Sequence, residues 1–169
     1  LCLGSCADIS PNIDGKVSQD DLATPVPVER VLVQRSPSEI AENAEAAVIA
    51  VDVTGGPGAY NFSVTVESLD TGCDRYANWW EVITEDGDLL YRRILAHSHV
   101  EEQPFTRSGG PVDIGVDDVV IVRSHMHPTG YQAQSYQGSV ANGFEAISLP
   151  AEFAQDLRET EPLPSGCTF

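Results

Sequence analysis

Hydrophobic and polar positions alternate over short segments from Ala47 onward, and turn residues separate these segments about every ten residues. Such alternation is typical of strands with one buried face. Asp86-Gly87 is in addition a strong hairpin signal. Val28–Val33 is a possible first strand. The other predicted strands are Val48–Val53, Tyr60–Glu67, Tyr76–Thr84, Leu89–Ile94, Pro111–Val116, Val119–Ser124 and Tyr131–Val140.

Helical signals are few. Ser36-Pro37-Ser38-Glu39 has the form of a capping box with proline at the first helical position, which predicts a short helix over Pro37–Ala46. Leu149–Leu157 predicts a second short helix or a turn. About seven short strands with one or two short helices indicate an immunoglobulin- or fibronectin-like β-sandwich, and a cupin-like double-sheet barrel is the alternative.

The domain organisation is predicted from the length, composition and periodicity of the chain. The chain has 169 residues, of which 41% are hydrophobic, and this suffices for one domain with a real core. Residues 7–27 are polar, contain prolines and lack periodicity, so they are predicted to be a flexible tether. Residues 28–169 then form a single β-sandwich domain with a C-terminal tail.

The charge balance restricts the partners. Twenty-six acidic residues against nine basic ones give a net charge of −17. Such an acidic protein repels phosphate backbones, so nucleic-acid binding is not expected. It attracts divalent cations weakly and diffusely, although adaptation to a salty habitat is the favoured explanation of the charge.

The N-terminal residues resemble a targeting signal. Leu3-Gly4-Ser5-Cys6 is similar to a bacterial lipobox, the end of a lipoprotein signal peptide. The resemblance implies that residues 1–6 are a signal-peptide remnant and that Cys6 becomes the lipidated first residue. It also implies a bacterial cell-envelope location, periplasmic or extracellular, with membrane contact only through the lipid. A Cys2–Cys6 disulfide is the alternative for these residues.

Once Cys6 carries the lipid and Cys2 is removed, Cys73 and Cys167 are the remaining cysteines. A disulfide between them is predicted, since it ties the tail to the domain and suits an oxidising compartment. The alternative is a set of free thiols.

The four histidines form two identical pairs, His97-Ser98-His99 and His125-Met126-His127, and each pair ends a predicted strand. Residues i and i+2 of a strand point to the same face, so each pair presents two imidazoles together. If Pro111–Val116 pairs between the two strands in a meander, both pairs emerge at one end of the sheet, about 10 Å apart.

Imidazole is the commonest protein ligand of copper and zinc, so His97, His99, His125 and His127 are predicted to bind one such ion. Met126 belongs to the core unless a bulge turns it. An open coordination position permits copper redox chemistry, so if the protein is an enzyme, a mononuclear copper oxidoreductase is expected.

The competing interpretation is a metal-free adhesion or carbohydrate-binding module with an extracellular glycan or protein partner. Paired histidines also occur on ordinary exposed sheet faces, and Trp79-Trp80 with Tyr76, Tyr131 and Tyr136 could form a platform for sugars. The folded part is similar to uncharacterised secreted bacterial proteins, and this resemblance implies no activity. The motifs that carry it are Asp70-Thr71-Gly72-Cys73, Trp79-Trp80-Glu81-Val82, His97-Ser98-His99-Val100 and Glu102-Gln103-Pro104-Phe105.

Overall fold

The computed structural model of the protein describes residues 45–150 and 152–168, and within them the chain forms nine strands and one short 3₁₀ helix. All strand pairings are antiparallel. The first sheet contains β1 (Ala46–Gly56), β2 (Ala59–Ser68) and β5 (Phe105–Val112), in the order β1-β2-β5. The second sheet contains β3 (Tyr76–Thr84), β4 (Leu89–Ile94), β6 (Val120–His127), β7 (Gly130–Tyr131), β8 (Gln134–Ser139) and β9 (Gly143–Ser148), in the order β4-β3-β6-β8-β9 with β7 beside β6.

The core lies between the two sheets, as in a β-sandwich. β2 supplies Phe62, Val64 and Val66 from alternate positions, and the second sheet supplies Trp80 and Val122 among others, all of them fully buried. Burying such side chains contributes roughly 1.5–3 kcal/mol each. The predicted β-sandwich is therefore confirmed, with two open sheets in place of a closed barrel.

The two central strands of the larger sheet, β3 and β6, are buried on both faces. Their even-numbered residues from Trp80 and Val120 onward face the core, whereas Ile83 and Ile121 face away from it and pack with Leu157. Leu157 belongs to the 3₁₀ helix Gln155–Glu159, within the C-terminal segment 152–168 that we call the strap. The face of the larger sheet that the strap covers is called the outer face below.

A disulfide holds the end of the strap. Cys73 and Cys167 are bonded, with their Cα atoms 5.5 Å apart and 94 residues between them in sequence, which confirms the predicted pairing. Backbone contacts reinforce it, because the Thr168 amide donates a hydrogen bond to the Ala96 carbonyl. The predicted C-terminal helix or turn is in part this 3₁₀ helix.

Two sequence predictions about strands and one about the end of a helix were wrong. The strand expected at Pro111–Val116 is β5, which ends at Val112 and lies in the other sheet, so β3 and not this segment separates β4 from β6. The long strand expected at Tyr131–Val140 is divided into β7 and β8. Ala46 begins β1 and does not end a helix.

Several predictions lie outside the described residues: the lipobox with Cys2 and Cys6, the tether, the possible strand Val28–Val33 and nearly all of the helix Pro37–Ala46. Among the described residues, no helix is both long enough and apolar enough to cross a bilayer.

Candidate functional site

The two histidine pairs lie in different parts of the molecule, and only the second is part of a strand of the larger sheet. Glu81 on β3 lies between Arg92 on β4 and Arg123 on β6, so these two arginines share one face. Odd-numbered positions of β6, including His125, therefore share the outer face with Arg123. Odd-numbered positions of β4 face the core, as Tyr91 does when it packs on Trp80. Within the part of the chain that the structure describes, no three of the four histidines are grouped so that they could hold one metal ion.

The first pair is not on a strand, contrary to the prediction, because β4 ends at Ile94. The loop that carries His97 and His99 is instead held by Asp70, a buried residue between β2 and β3. The Asp70 carboxylate accepts hydrogen bonds from the backbone amides of His99 (2.7 Å) and Ala77 (2.9 Å) and from the Ser68 hydroxyl (2.7 Å). These bonds fix the backbone at His99.

His99 is buried, with 3% of its surface exposed, and its ring lies between two others. It stacks on Phe105 with the centroids 3.8 Å apart, and the exposed His97 ring lies 4.5 Å away. Neither ring nitrogen of His99 has a hydrogen-bond partner, and Nδ1 is 3.8 Å from Asp70 Oδ2. Buried polar atoms without partners are uncommon in native proteins and often mark the place of a water or an ion.

Charges of both signs surround this first pair. Burial lowers the pKa of His99, as do Arg107 and His97, whereas Asp70 and Glu102 oppose that shift. Arg107 forms a two-bond ion pair with Glu102 at 3.1 and 2.7 Å. The His99 ring is therefore influenced by the paired cation Arg107 as well as by the buried Asp70 carboxylate, whose Oδ2 lies 3.8 Å from Nδ1.

The second pair ends β6, as predicted, and His125 is held by one hydrogen bond and by two aromatic rings. A β-bulge at Asn78 aims that side chain at His125, and Asn78 Oδ1 lies 2.7 Å from Nδ1. Since the amide oxygen is an acceptor, Nδ1 carries the proton and Nε2 keeps its lone pair. The ring also stacks on Trp79 with the centroids 3.7 Å apart and meets the edge of Tyr131.

Burial and nearby cations hold His125 in its neutral form. Burial is the largest cause, followed by Arg92, Arg123, His127 and Arg158, and together they lower the pKa of His125 to about 3. The neighbouring Tyr131 is also shielded from water, which raises its pKa to about 12. His125 is therefore uncharged in the folded protein at neutral pH.

His127 is exposed and lines a cavity of about 510 Å³ together with His125. Its ring faces Tyr76 with the centroids 6.0 Å apart, so the two histidines of this pair pack on different aromatic residues of β3. The strap forms the opposite wall of the cavity through Arg158, Leu163 and Pro164.

Beneath the strap is an ionic cluster that the sequence reading missed. Glu81 is fully buried and accepts hydrogen bonds from Arg92 Nε and Arg123 Nε, both at 2.8 Å. The two guanidinium groups then donate to five carbonyls of the strap. These carbonyls belong to Phe153, Ala154, Leu157, Thr160 and Pro162. A charged residue at the centre of each apolar strand was the signal that could have revealed this cluster.

The aromatic platform expected for sugars does not form. Trp80 is in the core, and Trp79 is covered by His125 from the β6 side and by Arg92 from the β4 side. Arg123 covers Tyr131 at 3.5 Å, and the Tyr136 hydroxyl bonds the Ile49 carbonyl. These rings are packing surfaces and are not free to stack on a ligand.

Metal ligands are not gathered as predicted. Within residues 45–150 and 152–168 there is no group of three or more histidine, cysteine or acidic side chains placed to hold a metal ion. Met126 is fully buried in the core and is not a ligand. Metal binding by His97, His99, His125 or His127 stays a prediction, and the geometry offers two separate histidine pairs for it.

The chain is similar to a curated protein of Halomicrobium mukohataei that is described as a "Putative lipoprotein". The two are 42% identical over 110 residues, which cover 61% of this chain and 54% of the relative. The chain thus spans about half the length of the curated relative that it matches. No protein family and no solved structure match it.

Proposed function

We propose that this chain is the folded domain of a protein anchored in the cell envelope by a lipid on Cys6, and that it binds a copper or zinc ion through His97 and His99. The anchor is supported by the tetrad Leu3-Gly4-Ser5-Cys6 and by the similarity to the Halomicrobium mukohataei protein described as a "Putative lipoprotein". The observation that carries the metal site is the buried His99 ring, whose two nitrogens have no hydrogen-bond partner.

The surroundings of the His99 ring support this proposal. One nitrogen of a metal-bound histidine binds the ion, and the other usually donates to a carboxylate or a carbonyl. Here Nδ1 faces Asp70 Oδ2 at 3.8 Å, so a small shift makes that bond and leaves Nε2 for the ion. The neighbouring His97 ring, 4.5 Å away, supplies a second nitrogen.

Two protein nitrogens leave coordination positions for water or for a donor from another molecule. Zinc binds imidazole nitrogens at about 2.0–2.1 Å and uses four ligands, and Cu(II) accepts a tetragonal set. Such an open site suits exchange of the ion or chemistry at it, whereas a closed structural site needs more ligands. If the protein is an enzyme, this open position is where a mononuclear copper oxidoreductase would act.

The second pair is the weaker candidate because its surroundings oppose a cation. His125 Nδ1 is hydrogen-bonded to Asn78. The pKa of His125 is lowered by burial and by three arginines, Arg92, Arg123 and Arg158. Two positive charges within several ångströms repel each other by roughly 1–4 kcal/mol at the dielectric constants that apply near a protein surface.

Titration of tag-free protein with Cu(II) and Zn(II) tests the site, with His97→Ala and His127→Ala as matched exposed variants. We expect one ion per wild-type chain, a loss of affinity in His97→Ala, and little change in His127→Ala. The electron paramagnetic resonance spectrum of the copper form should show coupling to two imidazole nitrogens. Equal losses in both variants, or four coupled nitrogens, would contradict the assignment to His97 and His99.

His99→Phe extends this test without disturbing the fold, because the phenyl ring keeps the contact with Phe105 and removes both nitrogens. We expect His99→Phe to bind no more metal than His97→Ala. The double variant His97→Ala/His99→Phe should lose little more affinity than either single variant, since the two residues act as one unit. Binding should also weaken below about pH 6.5 as protons compete for the nitrogens. Absence of binding at micromolar metal would end the proposal and favour a metal-free adhesion domain.

The anchor is tested by the intact mass of the native protein expressed from its full-length precursor. We expect the mature chain to begin at Cys6 with the mass of the attached lipid. Cys6→Ser should abolish the modification, and Cys2→Ser should leave it unchanged. A mature chain that keeps Leu1 or carries no lipid would rule out this part of the proposal.

A further inference from the structure

The cavity beside the outer face has the size of a small-molecule site. Its volume of about 510 Å³ lies within the range of roughly 300–1,000 Å³ that such sites occupy. The sheet contributes Tyr76, Trp79 and His127, and the strap contributes Arg158, Leu163 and Pro164. Apolar walls with a few polar groups are the usual composition of a ligand pocket.

The positive charge gathered here is unusual for this chain. The protein carries a net charge of −17, yet three of the six arginines in the described part of the chain act on the His125 ring. Arg92 and Arg123 together face one carboxylate, that of Glu81, so the buried cluster keeps one excess positive charge.

Arg158 is the cation that lines the cavity itself. Its Nε lies 3.6 Å from Glu159, and both side chains are largely exposed, so solvent screens this contact. Glu159 also lines the cavity and is the carboxylate that an anionic ligand would have to displace from Arg158. In contrast, the donors of Arg92 and Arg123 are already taken by Glu81 and by strap carbonyls.

An unpartnered donor adds to this arrangement. Trp79 is buried, lines the cavity, and its Nε1 has no hydrogen-bond partner. A donor of this kind and a nearby guanidinium favour an acceptor group with negative charge over a cation.

We propose that the cavity under the strap binds a small monocarboxylate with an apolar body. The carboxylate is recognised by Arg158 together with the Trp79 Nε1–H group, and the apolar body packs against Tyr76, Leu163 and Pro164. The site is separate from the one proposed at His97 and His99, and neither depends on the other.

Sodium phenylacetate is the probe that tests this inference, with phenethylamine and 2-phenylethanol as cationic and neutral compounds of similar shape. Binding is followed by the NMR shift of the Trp79 indole Nε1–H resonance, and Trp80, which is buried in the core, is the internal control. We expect phenylacetate to shift the Trp79 signal saturably, and the other two compounds to bind at least about tenfold more weakly, which corresponds to the loss of one charged contact.

Arg158→Gln is the matched variant, because Arg158 is exposed and its loss leaves the fold intact; Arg93→Gln removes an exposed arginine from β4. Arg158→Gln should weaken phenylacetate about tenfold, and Arg93→Gln should bind it as the wild type does. Equal binding of phenethylamine, wild-type affinity in Arg158→Gln, or no saturable shift of Trp79 up to millimolar phenylacetate would each overturn the proposal.

Discussion

The loop that carries His97 and His99 and the end of β6 that carries His125 and His127 have the same residue pattern but opposite environments. His99 is buried with no hydrogen-bond partner for its ring and with the Asp70 carboxylate 3.8 Å from its Nδ1. His125 is buried with Nδ1 bonded to Asn78 and with three arginines acting on it. A His-x-His pattern therefore says little about chemistry until the surrounding charges are known.

The same contrast extends to what holds each region. The first pair is fixed by backbone bonds to Asp70 and has an exposed ion pair, Glu102–Arg107, beside it. The second lies next to the buried Arg92–Glu81–Arg123 cluster and under the strap. We expect changes near the second pair to cost far more stability, and the predictions below test this.

Glu81→Gln should produce the largest effect. Removing one partner of a buried ionic cluster leaves uncompensated charge and costs about 3–5 kcal/mol, and here two arginines lose their carboxylate. The midpoint of urea denaturation measures it. Glu102→Gln is the control, since it removes a carboxylate that is exposed, and we expect little change. Similar midpoints for both variants would contradict the contrast between the two regions.

Replacing Cys73 and Cys167 by serine should be the next largest effect. The chain-entropy model gives on the order of 4 kcal/mol for a loop of this length. The melting temperature should fall, and the NMR signal of Trp79 under the strap should change more than that of Trp80. Metal binding at His97 and His99 should stay as in the wild type. Loss of metal binding in this variant would show that the two regions are coupled.

Low pH should lower the free energy of unfolding through the titration of His125. The pKa of His125 is about 3 when folded and about 6.5 in an unfolded chain. As the pH falls from about 6.5 towards 3, His125 therefore binds a proton in the unfolded state but not in the folded state. The free energy of unfolding should fall by on the order of 4 kcal/mol over this range.

The difference between the wild type and His125→Phe isolates that effect, because carboxylates titrate in both proteins. Above about pH 6.5 the contribution should be independent of pH. His99, whose pKa is also lowered, acts in the same direction. If the two proteins lost stability in parallel between pH 6.5 and 4.5, His125 would not be the buried neutral group described here.

The smallest expected effect is the difference in stability between variants of the two buried rings, His125 and His99. His125→Phe should cost about 1–3 kcal/mol at neutral pH, because it leaves Asn78 Oδ1 without its partner. His99→Phe should be neutral or stabilising, since it replaces two unpartnered nitrogens by carbon and keeps the stacking on Phe105. Thermal melting of both variants, without metal, measures the difference. A destabilised His99→Phe would mean that its nitrogens are bonded in the native protein.

The sequence by itself determined the class of fold, because alternation and turn residues are local signals. Tyr60–Glu67 and Tyr76–Thr84 were predicted as strands and correspond closely to β2 and β3. The pairing of Cys73 with Cys167 was predicted without geometry, because the lipobox resemblance sets Cys2 and Cys6 aside and leaves these two cysteines. The same-face direction of His125 and His127 followed from the period of a regular strand.

Only the tertiary structure decided where the two histidine pairs face. Strand register sets which side chains share a face of the sheet. It placed Arg92 of β4 on the same face as Arg123 of β6, with Glu81 between them. Likewise, Glu81 is buried beneath the strap, whose bonds to Arg92 join residues 65 and 70 positions apart in sequence. Contacts over such distances leave no periodic trace in a chain, so a sequence pattern identifies candidate ligands but not their neighbours.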